Sequence, residues 1–546
     1  MYTPPALDEK AAEIPPPRLG QYGAIPDPIV LRPASDDARD RLEAMQAWNR
    51  EGRQPRQEGF ARSLPQPIVA RLGERSADRH SVRVESAVGV GFWGTRATVR
   101  GASGVRLHLS GVDLPAGTRF WSYGNEGRPV SFGLEARGPS GDLWTPIAFG
   151  ETAYLDVEAP SGAKGRFSIL EVVEIRPLAA ATQPPCGIDA VCVEPARFPA
   201  IAQGRKAVAF LEFMDGHQAE SCTGTLVNDA AQDGTPYLLT AHHCIATPES
   251  ASSLQALWDF DAASCGGAAP DPSSLESSVG ATLLATGSQS DFTLLQLSSL
   301  PSGRSFMGWD SRPSSMPPGT TLYSLSHPVS YVDVDRTPLP MEYSESTVAD
   351  PNLVGCFAPA TTYFYSDLSA GYEWFGSSGS AAMLGGGQVV GQIKGVCSAI
   401  IEVCDAPPTL FFGAFSATYP LVARWLDAPS PACVPDPTRL CLGTRFQATA
   451  VWQKVDGETG TATGVPLTPD SGYFWFFDPS NVEVIAKIVD GCAFNGHSWV
   501  FASGLTNVGV TLTYTDLVTG NQAVYRSSPG SAFPPIQDTS AFATCP

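Results

Sequence analysis

The segment YLLTAHHC, residues 237–244, sets two histidines and a cysteine behind a short apolar run, in a chain with only seven histidines. A metal site, a buried core pair and a catalytic base are the roles open to such a doublet. Neighbouring strand residues point to opposite faces, and zinc ligands normally have residues between them, so one metal shared by His242, His243 and Cys244 is disfavoured. A base is chemically apt, because imidazole titrates near neutral pH. SCTGTLVND (221–229) and PYLLTAHHC (236–244) both read as apolar strands, with the turn signal QDG between them. Such a hairpin brings Cys222 and Cys244 within bridging reach, which would hold the adjacent His243 rigidly.

A base needs a nucleophile, and WFGSSGSAAM (374–383) supplies Ser378 between glycines. A tight turn there exposes the hydroxyl and aims the N–H groups of Gly376 and Ser378 at one point, an oxyanion hole. Ser380 stands where G-x-S-x-G requires glycine, and strand–helix alternation is lacking around it, so an α/β-hydrolase elbow is disfavoured. In SQSDFTLLQL (288–297), Asp291 heads an apolar run. A carboxylate there is costly without a partner, and an imidazole N–H suits it. The order His243, Asp291, Ser378 is that of chymotrypsin-like enzymes. Singly, each residue has a plainer reading: a core histidine, a strand-end acid, a Gly/Ser loop serine. His327 has no assigned role beyond a surface or subsite residue, and His497 reads as structural.

The elements that position these residues are mainly β. With 546 residues the chain exceeds one core, and its 53 glycines and 48 prolines favour loop-rich β architecture. Residues 1–85 read as extended apart from one amphipathic helix within 35–53, with Leu42, Met45 and Trp48 on one face. Residues 86–178 read as a small β-sandwich. RPLAAATQPP (176–185) is a linker, residues 186–428 hold the chemistry, and DAPSPACVPDP (427–437) is a second junction. Residues 433–546 are again β, with YFWFF (473–477) read as sandwich core rather than a carbohydrate platform. A net charge of −20 argues against nucleic acid or an anionic membrane as partner, and no run of eighteen apolar residues spans a bilayer. Twelve cysteines without a CxxC pair suggest up to six disulfides in an oxidising compartment. The start, MYTPPALDEK, is not a secretory leader, so secretion implies a leader already removed.

T-A-x-H-C around His243, D-F-T-L-L around Asp291 and G-S-S-G-S around Ser378 resemble the trypsin/chymotrypsin clan, and within it the bacterial lysyl endopeptidases, whose amino-terminal CNIDVVC is similar to CGIDAVC (186–192) here. The resemblance covers about 186–428. It implies a chymotrypsin-like double β-barrel protease domain there, flanked by an N-terminal β-sandwich pro-region and a C-terminal β-sandwich. It implies His243, Asp291 and Ser378 as triad, a supporting role for His242, and the bridges Cys186–Cys397, Cys192–Cys265 and Cys222–Cys244, with Cys356–Cys404 an extra pair. In the last segment Cys433–Cys441 closes a short loop and Cys492–Cys545 ties down the terminus. The family's lysine-reading aspartate aligns with Leu410 and a pocket histidine with Lys394, both unfavourable for a lysine side chain. Tyr372 and Glu373 fall at the pocket floor. Glu373 could restore a basic preference, Lys394 an acidic one, and Leu410 with Phe411 an apolar one; the reading leans to a small or apolar primary residue.

The expectation is a secreted, monomeric bacterial serine endopeptidase, extracellular or periplasmic. It acts on protein or peptide substrates without metal or organic cofactor, and its N-terminal pro-region serves as intramolecular inhibitor. The competing reading is an inactive adhesion or binding protein that reuses the fold; a metal-binding module ranks third.

Overall fold

The computed structural model describes residues 26–542 apart from 32–35, 52, 75–78, 86–89, 126, 177–181, 233, 331, 333–336, 351–360, 398–403, 405–407, 428–432, 444, 492–494, 496 and 518–520. The protein is mainly β, with several sheets and a closed barrel, and it divides into two compact units, 1–426 and 427–546.

In the first unit, strands Thr321–Ser326, Glu342–Val348, Tyr363–Gly371, Thr409–Ala414, Val389–Val396 and Ala381–Met383 close a barrel. Leu322, Leu368, Val390, Ile393, Leu410 and Phe412 fill it. The expected second barrel takes a different form. Strand Gln218–Val227 pairs through Thr225–Val227 with Tyr237–Leu239, but through Gln218–Ser221 with residues 56–60. The sheet therefore branches, and twelve strands become continuous across the amino-terminal and central parts of the chain.

Residues 1–85 hold more structure than the single helix read from sequence. The helix is present as Asp36–Arg50, and Ala38, Leu42 and Met45 pack on Phe60. Around it lie strands Ile29–Leu31, Arg56–Leu72 and Ser81–Glu85. The seventeen-residue strand Arg56–Leu72 is central: it pairs with Gly165–Ile175 on one side and Gln218–Val227 on the other. Its alternation is weak because both faces are covered along its first half, so it does not read as an amphipathic strand. With Gly165–Ile175 and Gly104–Asp113 it stacks on a second sheet, Ile29–Leu31, Val90–Val99, Thr152–Pro160, Arg119–Tyr123 and Val130–Gly133, over a core including Trp93, Phe120, Leu155, Phe167 and Val172.

One buried ion pair crosses the shared sheet. Arg106 donates from Nη1 to both carboxylate oxygens of Glu212 at 3.0 Å, from Nε to the Thr145 carbonyl and from Nη2 to that of Ser253. Both side chains are inaccessible to solvent, and the planar guanidinium satisfies four acceptors at once.

The second unit stacks two five-stranded sheets over Phe446, Trp452, Phe474, Val500 and Tyr514. Within YFWFF, Phe474 and Phe476 enter this core, while Phe477 stays half exposed, edge-on to Trp452. Among the described residues no helix is long and apolar enough to cross a membrane.

The structure forms disulfides Cys192–Cys265, Cys222–Cys244 and Cys433–Cys441. It corrects two expected pairings: Cys186 bonds Cys404, not Cys397, and Cys404 is therefore not joined to Cys356. Cys397 is held at the end of the barrel ladder, its N–H on the Thr409 carbonyl, while Cys404 lies in the connection beyond and reaches Cys186, whose own N–H points at the Cys404 sulfur. Cys397 is itself disulfide-bonded; Cys356 and the expected pair Cys492–Cys545 lie outside the described residues.

Candidate active site

The site begins where two antiparallel strands run out together. Tyr237–Ala241 pairs with Phe292–Leu297, and the last register pair is Ala241 with Phe292. His242, His243 and Asp291 leave the ladder at that point. The His242 N–H donates to the Asp291 carbonyl, and the His243 N–H donates to Asp291 Oδ1 at 3.0 Å. The ring of His243 then meets Asp291 Oδ2 through Nδ1 at 2.7 Å. An ionised carboxylate only accepts, so Nδ1 carries the proton and Nε2 is left as the basic nitrogen. That Nε2 is buried and has no hydrogen-bond partner. Asp291 has φ +50°, a strained conformation for a residue with a Cβ, of the kind that collects at functional sites. His242 turns away: its Nδ1 bonds the Thr286 hydroxyl at 2.8 Å, which anchors the corner to the neighbouring strand.

Ser378 arrives from the barrel. Gly376 and Gly379 on either side have φ +94° and +83°. A Cβ on Gly379 would stand 2.2 Å from Thr240 Oγ1 and 2.9 Å from the Ala241 nitrogen, so only glycine lets this loop approach the strand that ends at the histidines. Thr223, next to Cys222, welds the two halves: its N–H donates to the Ser378 carbonyl, its hydroxyl donates to the Gly376 carbonyl and accepts from the His327 N–H. Among the described residues neither the Gly376 nor the Ser378 N–H is given to an acceptor. Sequence reading missed Thr223, which is fully buried, because nothing in SCTGTLVND sets it apart from Thr225. It also missed Gln392, which donates to the Ser290 carbonyl beside Asp291.

The four pocket candidates, Leu410, Lys394, Tyr372 and Glu373, are placed as follows. Leu410 points into the barrel core. Lys394 is the extra residue of a bulge, between the register pairs Ile393–Phe412 and Gly395–Phe411, so its side chain is turned aside and its ammonium lies 3.3 Å from Asp291 Oδ1. The buried carboxylate thus has a cation as well as an imidazole beside it. Tyr372 is buried, its hydroxyl on the Val329 carbonyl. Glu373 is fully buried; burial pushes its carboxyl up, and the hydroxyls of Ser344, Ser377 and Ser326 act against that. None of the four lines the cavity that opens beside Ser378. That cavity is walled by Trp374, Phe375, Ile393, Gly395 and Val396, and by Gln54 from the amino-terminal region.

His327 is not at the surface. It lies buried between Phe210 and Phe260, and burial pushes its pKa down to about 3, outweighing an opposing contact with the Leu339 backbone. His497, in the second unit, bonds the Asn495 carbonyl. Among the described residues no group of three or more His, Cys, Asp or Glu is placed to hold a metal ion.

Comparison with known proteins finds similarity to one family in the central region. Residues 181–404 match the family described as lysyl endopeptidase, C-terminal domain. A lysyl endopeptidase of Pseudomonas aeruginosa is 25% identical over 310 residues, which cover 52% of this chain and 63% of that protein. The chain thus spans less than two thirds of that relative's length. The resemblance to the lysyl endopeptidases read from the motifs is borne out over this region. Among solved structures, the scabies mite inactivated protease paralogues S-I1 and S-D1 align with TM-scores of 0.30 at 12% identity, covering 41% and 40% of this chain and 94% and 91% of theirs.

Proposed function

We propose that the protein is a secreted serine endopeptidase that cleaves peptide bonds through an acyl-enzyme. The observation that carries this reading is the Asp291–His243 pair, with Nε2 left basic and unpartnered at the strand end against which the Ser378 loop is fastened. In the proposed cycle Ser378 Oγ attacks the substrate carbonyl as His243 Nε2 takes its proton. Asp291 holds the tautomer and stabilises the imidazolium. The Gly376 and Ser378 N–H groups receive the oxyanion, each contributing roughly 2.7–4 kcal/mol to the transition state. The imidazolium returns the proton to the leaving amine, and water, activated the same way, frees the acid.

Residues 1–180 serve in this reading as a pro-region that restrains the site, with cleavage near 176–185. Substrates are proteins or peptides, and the enzyme works as a monomer outside the cytoplasm, in keeping with its disulfides. A lysine side chain is disfavoured at the primary position, because no residue that walls the cavity beside Ser378 carries a charge.

The test is labelling by a fluorophosphonate. The full chain is expected to be modified at Ser378, with labelling abolished in Ser378→Ala and strongly reduced in His243→Ala. Absence of labelling, in the full chain and after removal of the amino-terminal region, would favour the inactive binding protein instead.

A further inference from the structure

The amino-terminal region does more than lie near the site: it supplies a wall of the cavity into which Ser378 opens. Gln54 is that wall. Its position is fixed by pairing. Strand residues Arg56 and Gln57 are in register with Ser221 and Glu220, so the antiparallel chain before them continues toward Cys222 and Thr223, the residue that holds the Ser378 carbonyl. A second set of contacts clamps the segment from above. Trp48 Nε1 donates to the Pro55 carbonyl at 2.8 Å, Asn49 Nδ2 to the Gln57 carbonyl at 2.8 Å, and the Gln57 N–H returns to Asn49 Oδ1 at 3.0 Å. Below, Arg56 pairs with Glu58, which also accepts from Ser221 Oγ at 2.6 Å. A helix end and a strand edge thus grip residues 55–58 and leave Gln54 at the cavity.

Resting on the serine-peptidase reading above, we propose that Arg53–Gln57 is a built-in pocket plug, with Gln54 standing where the substrate's primary side chain goes. The plug also reports the pocket's preference. Trp374, Phe375, Ile393 and Val396 offer apolar walls without a charge, and the nearby Lys394 is turned to Asp291. A neutral side chain of glutamine's reach is complementary to this space, and lysine, arginine and glutamate are not. The preferred substrates are peptides with glutamine, methionine or leucine before the cleaved bond.

The experiment uses the full chain. Gln54→Gly and, separately, the clamp variant Trp48→Ala/Asn49→Ala are compared with the parent for the rate of fluorophosphonate labelling at Ser378. A panel of peptide amides differing only at the residue before the scissile bond is then hydrolysed by the faster-labelling protein. Freeing a pocket that is mostly occupied raises the labelling rate in proportion to the open fraction, here at least about tenfold. Hydrolysis should favour the glutamine, methionine and leucine amides over the lysine amide by at least about tenfold. Equal labelling rates in parent and both variants, with thermal unfolding unchanged, would overturn the plug while leaving the peptidase reading intact. Faster labelling with cutting after lysine would overturn the neutral pocket. No labelling in any form would end the peptidase reading, and this inference with it.

Discussion

At the scale of single residues, the triad candidates were legible because each sits in a short motif whose chemistry is local. A histidine beside a bridged cysteine, an aspartate heading an apolar run and a serine between glycines can be read without knowing the fold. The placement of the pocket candidates was not legible, because it depends on where side chains point. One bulge at Lys394 sends an ammonium to Asp291 instead of the cavity, and the inward face of the barrel takes Leu410. Two consequences are testable at this scale. Asp291→Asn keeps the shape but allows the wrong tautomer at His243, so kcat is expected to fall by about 10³–10⁴ with KM little changed, checked by steady-state kinetics on a peptide substrate. His327, pushed down to about 3 when folded, takes a proton below about pH 6.5 only when unfolded. The unfolded state then binds more protons, so stability falls by up to about 1.4 kcal/mol per unit as the pH drops from 6.5 toward 3. His327→Leu should flatten that acid limb in thermal melts, and parallel curves for the two proteins would contradict the assignment.

At the scale of elements, the site is made by strands ending together and by one loop pressed against them. Gly379 is the pressure point. With φ +83° and Thr240 Oγ1 2.2 Å from any added Cβ, Gly379→Ala must push the serine loop off the strand. A loss of about 3 kcal/mol in urea unfolding, accompanied by loss of labelling at Ser378, is the expected result. The disulfide pattern shows why sequence reading falls short at this scale. Cys397 and Cys404 lie seven residues apart, and only the path of the intervening connection decides which meets Cys186. The strand seam has its own pH signature. Burial pushes Glu220, opposite Gln57, up to about 8, so the folded state holds a proton that the unfolded chain gives up near pH 4. Its contribution to stability is whole at low pH and is lost as pH rises toward 8. Glu220→Gln should therefore match the parent at pH 4 and exceed it at pH 9 in melting temperature.

At the scale of the whole molecule, the amino-terminal sandwich and the region that carries the site share one sheet and one buried ion pair. This arrangement could not be read from the sequence, since Arg106 and Glu212 stand 106 residues apart in unremarkable strand contexts. Arg106→Met leaves Glu212 buried without a counter-charge and is expected to destabilise the first unit by about 3–5 kcal/mol in denaturant unfolding. Arg106→Met with Glu212→Leu should recover most of that loss. A single mutant as costly as the double would show that packing, not charge, governs the seam.

The branching of strand Gln218–Val227 has a further bearing on maturation. Its first four residues have their backbone groups filled by a neighbour from the far end of the chain. A processing event that discarded that neighbour would expose a bare rim of donors and acceptors, on which other extended chains assemble. Cutting the chain would therefore not by itself free the site: the severed strand must also be displaced from that rim.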